Sequence, residues 1–144
     1  MQSHKCIEQE NPISRHQNFL KAFWTWSIIV LIPVALFAHD WNAPEKAAQR
    51  PNPVPKDAAA IERGQKLYQQ FCANCHGKNG QGDGPSAAAL NPKPSNLAAR
   101  AGHHTDGDFA WKIANGRGVM PGFKNQLTEH QIWELVHYIQ NFKN

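Results

Sequence analysis

Gln70-Phe71-Cys72-Ala73-Asn74-Cys75-His76-Gly77 decides how this chain is read. Two cysteines stand three positions apart, and a histidine follows the second directly. That is the attachment pattern of a c-type haem. At this spacing two thiols reach the two vinyl groups on one edge of a porphyrin. The tight turn then swings the next side chain beneath the ring, where an imidazole nitrogen meets iron. A structural zinc site would need two further ligands at finger-like spacing, and there is no second Cys pair. A thioredoxin-like redox pair would need a strand-to-helix junction in an α/β pattern, which is absent. The third cysteine, Cys6, stands far from the motif and reads as an inert thiol.

A six-coordinate iron needs a second axial ligand. Apart from Met1 the chain has one methionine, Met120, in Gly116-Arg117-Gly118-Val119-Met120-Pro121-Gly122-Phe123. A thioether is a soft ligand that favours ferrous iron, and Met/His ligation raises the potential relative to other axial pairs. A methionine that merely fills a core gap belongs on an apolar helical face, whereas Met120 lies in a loop punctuated by Gly and Pro. His103, His104, His130 and His137 are the alternative distal ligands. His103-His104 lies in a polar stretch and His130 in the first turn of a helix, so both sites read as solvated.

The 144 residues suffice for one globular domain of ordinary size, and the haem motif sits in its better-patterned half. Ile61, Gly64, Tyr68 and Phe71 form one stripe of a helix over 58–72, with Asp57 as N-cap. A shorter helix is predicted from Asp106 to Asn115, ending at Gly116. Thr128-Glu129-His130-Gln131 is a capping box, followed by Ile132, Leu135, Val136 and Ile139 at helical spacing. Residues 77–104 are rich in Gly and Pro without a period, and read as loop wrapped over one haem edge. No strand signal is present, so the fold class is all-α. The net charge of +4 is scattered, with no Lys/Arg run, which excludes nucleic acid as a partner.

Taken together, these segments resemble the class I c-type cytochromes, in particular the single-haem domains of bacterial respiratory complexes. The resemblance covers roughly residues 58–144. It rests on Gly64 to Tyr68, Cys72 to His76, Gly80 to Pro85, Asn91 to Leu97, Asn115-Gly116, Met120 to Phe123, and Ile132 to Ile139. It implies a cytochrome c fold around one covalent haem c, whose iron is held by His76 and Met120. It also implies that a Pro carbonyl accepts a hydrogen bond from the proximal histidine, Pro94 being the match and Pro85 the alternative. In the last helix an aromatic, here Tyr138, would cross at Gly64. The implied function is one-electron transfer without catalysis by the chain itself and without a small-molecule substrate. Its partners would be other redox proteins or a membrane electron-transfer complex. The alternative is a haem enzyme or gas sensor with a displaceable sixth ligand.

Ahead of this domain, residues Ala22 to Ala38 carry no charge, and the wider stretch 19–41 has Lys21 and Asp40 only near its ends. As a helix it would span roughly 25–35 Å, about one bilayer core. Trp24, Trp26 and Trp41 fall towards the ends, as an aromatic belt requires. The leading segment is too long, and Leu36-Phe37-Ala38 too bulky, for a cleaved signal peptide. Four regions are therefore expected: a cytoplasmic segment 1–18, a transmembrane anchor 19–41, a Pro-rich linker 42–57 and a cytochrome c domain 58–144. Because bacteria attach haem on the periplasmic side, the expected location is the inner membrane, single-pass, with the haem domain in the periplasm. Electrons would enter and leave beside the Met120 loop, where Lys112, Arg117 and Lys124 form a basic rim.

Overall fold

The structure, a computed structural model, describes residues 41–143. The expected cytoplasmic segment, and the expected anchor up to Asp40, lie outside the described residues. Among the described residues no helix is long and apolar enough to cross a membrane.

Helix α1 is a single turn, Glu45–Ala48. Helix α2, Ala58–Phe71, starts where the Asp57 carboxylate accepts the Ala60 N–H at 2.7 Å, the expected N-cap. Cys72 closes it and opens the one-turn helix α3, Ala73–His76, which stops at Gly77. That residue has φ +80°, a conformation that a side chain resists. A short 3-10 turn follows at Ala87–Ala89. Helix α4, Asp106–Asn115, is capped by Thr105, and helix α5, Glu129–Gln140, by the reciprocal Thr128–Gln131 pair. A last 3-10 turn covers Asn141–Lys143. The one β feature among the described residues is an isolated bridge between Arg117 and Met120. The all-α expectation therefore agrees with the structure.

Helices α2 and α5 cross at Gly64, the position where the sequence left out a side chain. A Cβ there would overlap the Glu134 carbonyl oxygen and lie 3.1 Å from Tyr138 Cβ. Tyr138 is thus at the crossing, but the main chain of Glu134 comes closer still. Around this point Tyr68, Trp133, Leu135 and Val136 are fully buried, and Phe109, Ile113, Ile132 and Ile139 extend the core to α4. Each such side chain contributes about 1.5–3 kcal/mol on burial. The buried Glu134 carboxylate is held by Arg63 Nε at 2.5 Å and by His130 Nε2 at 3.2 Å.

The segment expected as a linker differs most from its reading. Residues 41–57 pack on the domain. The Ala43 N–H donates to Asp108 Oδ1 at 2.8 Å, and the Thr105 hydroxyl donates to the Ala48 carbonyl at 2.6 Å. Arg50 pairs with Glu129 at 2.6 Å and lies over the Trp133 ring, while Asn52 Nδ2 donates to the Trp133 carbonyl at 3.0 Å. Val54 is a core residue, and its carbonyl accepts from His137 Nε2 at 2.7 Å. Prolines limit regular structure here to the single turn of α1, but the residues between them carry long-range contacts that composition does not reveal.

Candidate haem-binding site

The motif turn is built so that its three reactive groups share a face. The N–H groups of Cys75 and His76 both donate to the Cys72 carbonyl, at 3.1 and 2.9 Å. One helical turn then places positions i, i+3 and i+4 side by side. Every carbonyl of the turn is satisfied. Ala73 accepts from Gly77 N at 2.9 Å, Asn74 from Ser86 N at 2.9 Å, Cys75 from Gly84 N at 3.2 Å and His76 from Gly82 N at 2.8 Å. The Gly77 carbonyl accepts from the buried Tyr68 hydroxyl at 2.7 Å. The loop that follows the motif is therefore stitched onto it.

Both thiols are free of disulfides and half-buried. Burial pushes the Cys72 thiol up to about 12, with the neighbouring Cys75 adding to the effect, so Cys72 is held as a neutral thiol. His76 Nδ1 lies 3.0 Å from the Ser95 carbonyl. A carbonyl only accepts, so Nδ1 carries the proton and Nε2 keeps a lone pair. Burial lowers the imidazole below its ordinary range, against an opposing contribution from the Ser95 hydrogen bond. The ring is thus in the neutral form that a metal ligand requires.

The acceptor corrects the expectation of Pro94, and of Pro85 as its alternative. The Pro94 carbonyl is turned to Gly82, where a Cβ would come within 2.5 Å of it. The next carbonyl along, that of Ser95, reaches the imidazole. A close approach of main chain to main chain at Gly82 sets this register, and no spacing rule in the sequence predicts it. The Tyr68 hydroxyl was likewise missed as a site residue, because its stripe position marks it only as core.

Met120 sits half-buried against the same core that Leu67, Phe71, Cys72, Ala73 and Leu97 contact. Its N–H and carbonyl pair with Arg117 at 3.0 and 2.9 Å, closing a tight turn around Gly118, φ +57°. Two further bonds, Phe123 N to the Ile113 carbonyl at 3.0 Å and Lys124 N to the Ala114 carbonyl at 3.1 Å, fasten this loop to α4. The other histidines have different places. His104 Nδ1 meets Asp108 Oδ2 at 2.7 Å, so it is not the solvated residue expected from a polar stretch. His137 is buried against Val54, and His130 is exposed beside Glu134. Lys112 also departs from its reading. Its ammonium donates to Asp108 at 2.6 Å and is mostly buried, so it does not belong to an exposed basic rim.

Two free thiols on one face, with a neutral imidazole whose Nε2 is available, are the donor set that a covalent haem needs. Residues 59–139, over half of the chain, match the family of the cytochrome c oxidase, cbb3-type, subunit III. The chain belongs to this family. It is a monohaem class I c-type cytochrome, and its cofactor is covalently bound haem c with iron. The cbb3-type cytochrome c oxidase subunit CcoP of Azospirillum brasilense is 34% identical over 86 residues, which is 59% of this chain and 29% of the relative. Cytochrome c6 of Leptolyngbya boryana is 35% identical over 83 residues, 58% of this chain and 89% of that protein. A solved chain of the reducing HAO-like protein complex of Kuenenia stuttgartiensis superposes with a TM-score of 0.56 at 27% identity, covering 64% of this chain and 47% of that one. This cytochrome therefore spans under a third of the CcoP relative and under half of the solved chain, but most of a cytochrome c6. Such relatives place the cytochrome among haem-based electron-transfer proteins.

Proposed function

We propose that this cytochrome transfers single electrons through a haem ligated by His76 and Met120, as a membrane-tethered carrier or as the haem subunit of a membrane-bound electron-transfer complex. The observation that carries the reading is the His76 Nδ1 contact with the Ser95 carbonyl at 3.0 Å, which leaves Nε2 as the ligand atom beside two free thiols. When bound, haem supplies a one-electron ferric/ferrous couple. Cys72 and Cys75 attach it, and the Ser95 carbonyl fixes the His76 ring and strengthens its basicity. The Met120 thioether favours the ferrous state. Leu67, Phe71, Leu97 and Phe123 line the surrounding core and exclude water. His104 and His137 already have partners, which supports Met120 as the distal ligand.

Electrons pass beside the Met120 loop. Val119, at its tip, is the exposed large hydrophobic residue among the described ones, at 48%. Arg117 and Lys124 are exposed near it, suiting an acidic partner surface. The apolar stretch 19–41 is read as the anchor up to Asp40, since Trp41 lies against Lys112 of the domain, with the haem domain on the periplasmic side of a bacterial inner membrane.

Met120→Ala tests the ligand set. It should remove the far-red sulfur-to-iron charge-transfer band, open the iron to carbon monoxide and lower the potential. Loss of that band in His103→Ala or His104→Ala, with Met120→Ala unchanged, would refute the assignment. Covalent haem should vanish with Cys72→Ser and Cys75→Ser together, as read by haem staining of denaturing gels.

A further inference from the structure

A cavity of about 290 Å³ lies where the segment before α2 meets α4 and the start of α5. Ala110, Trp111 and Ala114 line it from α4, and Ile132 and Trp133 from α5, whereas none of Cys72, His76 and Met120 borders it. It is therefore separate from the haem site. Its charged residues are Arg50, Lys124 and Glu129, which leave one positive charge in excess. Arg50 donates to Glu129 at 2.6 Å and lies 5.4 Å from the centroid of the Trp133 ring. Trp133 is 2% exposed, and its indole N–H is buried without completing a hydrogen bond among the described residues. That N–H faces the same carboxylate, since Glu129 is held below the ordinary carboxyl range first by Arg50 and then by the Trp133 indole. Buried donors are nearly always paired, so an N–H that stops short of its acceptor leaves room for a better one.

We propose that this cavity binds a small aromatic monocarboxylate, whose ring fills the space between α4 and α5 and whose carboxylate replaces Glu129 on the Arg50 guanidinium and the Trp133 N–H. The Arg50 and Glu129 side chains are 56% and 66% exposed. An ion pair so exposed contributes little, so Glu129 is displaceable. Its short arm, held in the first turn of α5, leaves the cavity unfilled. A carboxylate on a ring makes the same charge-assisted bond to Arg50 and completes the one that Trp133 lacks. It also brings apolar surface for Ala110, Ala114 and Ile132 to cover, and a flat face for the two indoles. The volume stands at the lower end of ligand pockets, roughly 300–1,000 Å³, which suits a single ring. One negative charge matches the excess positive charge of the site.

The test uses the reduced, full-length holoprotein in detergent micelles, titrated with benzoate. The nuclear magnetic resonance signal of the Trp133 indole N–H is followed, assigned by its loss in Trp133→Phe. It should move saturably with a Kd of roughly 1 mM or below, the scale that a small rigid ligand reaches. No saturable movement up to a concentration about tenfold higher overturns the proposal. Benzamide, which has the same shape without the charge, should bind at least about fivefold more weakly, and Arg50→Gln should weaken benzoate at least about tenfold. Glu129→Gln removes the competing carboxylate and should tighten benzoate about two- to fivefold. Equal binding of benzamide to the parent protein, or a Glu129→Gln protein that binds benzoate no more tightly than the parent, overturns the proposal even where Arg50→Gln is too unstable to score.

Discussion

Gly64→Ala sets two effects of known size against each other. Alanine favours the helix interior over glycine by about 1 kcal/mol, so an exposed mid-helix glycine would gain stability from the change. At the crossing of α2 and α5, however, the new Cβ would sit 2.7 Å from the Glu134 carbonyl carbon and 3.1 Å from Tyr138 Cβ, and would overlap the Glu134 oxygen. The first neighbour is backbone held by helical hydrogen bonds, so it cannot rotate away. The helices must separate, which loosens Ala60, Tyr68 and Leu135, none of which has any exposed surface. Overpacking of this kind costs typically about 1–3 kcal/mol, and an unyielding neighbour puts it at the upper end. The net loss should be about 1–2 kcal/mol, lowering Tm by roughly 5–15 °C for a domain of this size. Thermal unfolding of the holoprotein, followed through the haem absorbance, measures it, with Gln65→Ala on the exposed face of the same helix as the control. A Gly64→Ala protein as stable as the parent would show that the crossing is not as tight as described and would refute the reasoning.

Asp108→Ala should cost about 3–5 kcal/mol in chemical denaturation, because it strands the mostly buried Lys112 ammonium without its partner. Burial alone would raise the Asp108 carboxyl. The hydrogen bonds from Lys112 and Ala43, with the charges of Lys112 and His104, outweigh burial and leave the carboxyl below its ordinary range. Its contribution is therefore complete above about pH 4 and lost as the pH falls through the lowered value, so Asp108→Asn should flatten this part of the acid unfolding curve. Tyr68→Phe should cost only about 1 kcal/mol, since the Gly77 carbonyl keeps the Gly80 N–H at 3.2 Å. A domain begun at Asp57 should unfold at a clearly lower denaturant concentration than one begun at Trp41, because it lacks Val54 and leaves His137 without its carbonyl. Equal midpoints would show that residues 41–56 do not contribute to folding.

The helices were legible because their signals are local. Asp57, Thr105 and Thr128 all cap where their side chains reach an N–H three residues ahead, and Gly116 stops α4 as expected. The apolar stripes then say which face is buried. The tight crossing was legible in outline because glycine is costly in a helix unless something packs there. Which atom packs there was not, since the choice between the Tyr138 ring and the Glu134 carbonyl depends on helix separation and not on residue type. The linker reading of residues 42–57 failed for the opposite reason. Four prolines in residues 42–57 leave room for a single helical turn only, but extended chain can be as firmly held as helix when its partners are distant. Ala43 reaches 65 residues ahead to Asp108, and Val54 reaches 83 to His137.

At the site, the sequence specifies chemistry better than it specifies hydrogen-bond register. Cys72, Cys75 and His76 are fixed by the covalent reach of a porphyrin edge, a constraint of one helical turn, so they can be read without a fold. The second nitrogen of His76 obeys a different constraint: some main-chain acceptor must orient the ring, and any residue can supply a carbonyl. Its identity is decided by Gly82, which lets the 94–96 segment approach so closely that Pro94 faces it and Ser95 faces the imidazole. The same distinction applies to charge. Lys112, Arg117 and Lys124 look equivalent as a basic group around Met120, yet Lys112 is one helical turn from Asp108 and is neutralised by it at 2.6 Å. Any electrostatic guidance of a partner to the Met120 edge therefore falls to Arg117 and Lys124. Lys112 holds the buried Asp108 carboxylate, so charge reversal there should weaken folding before it alters the salt dependence of electron transfer.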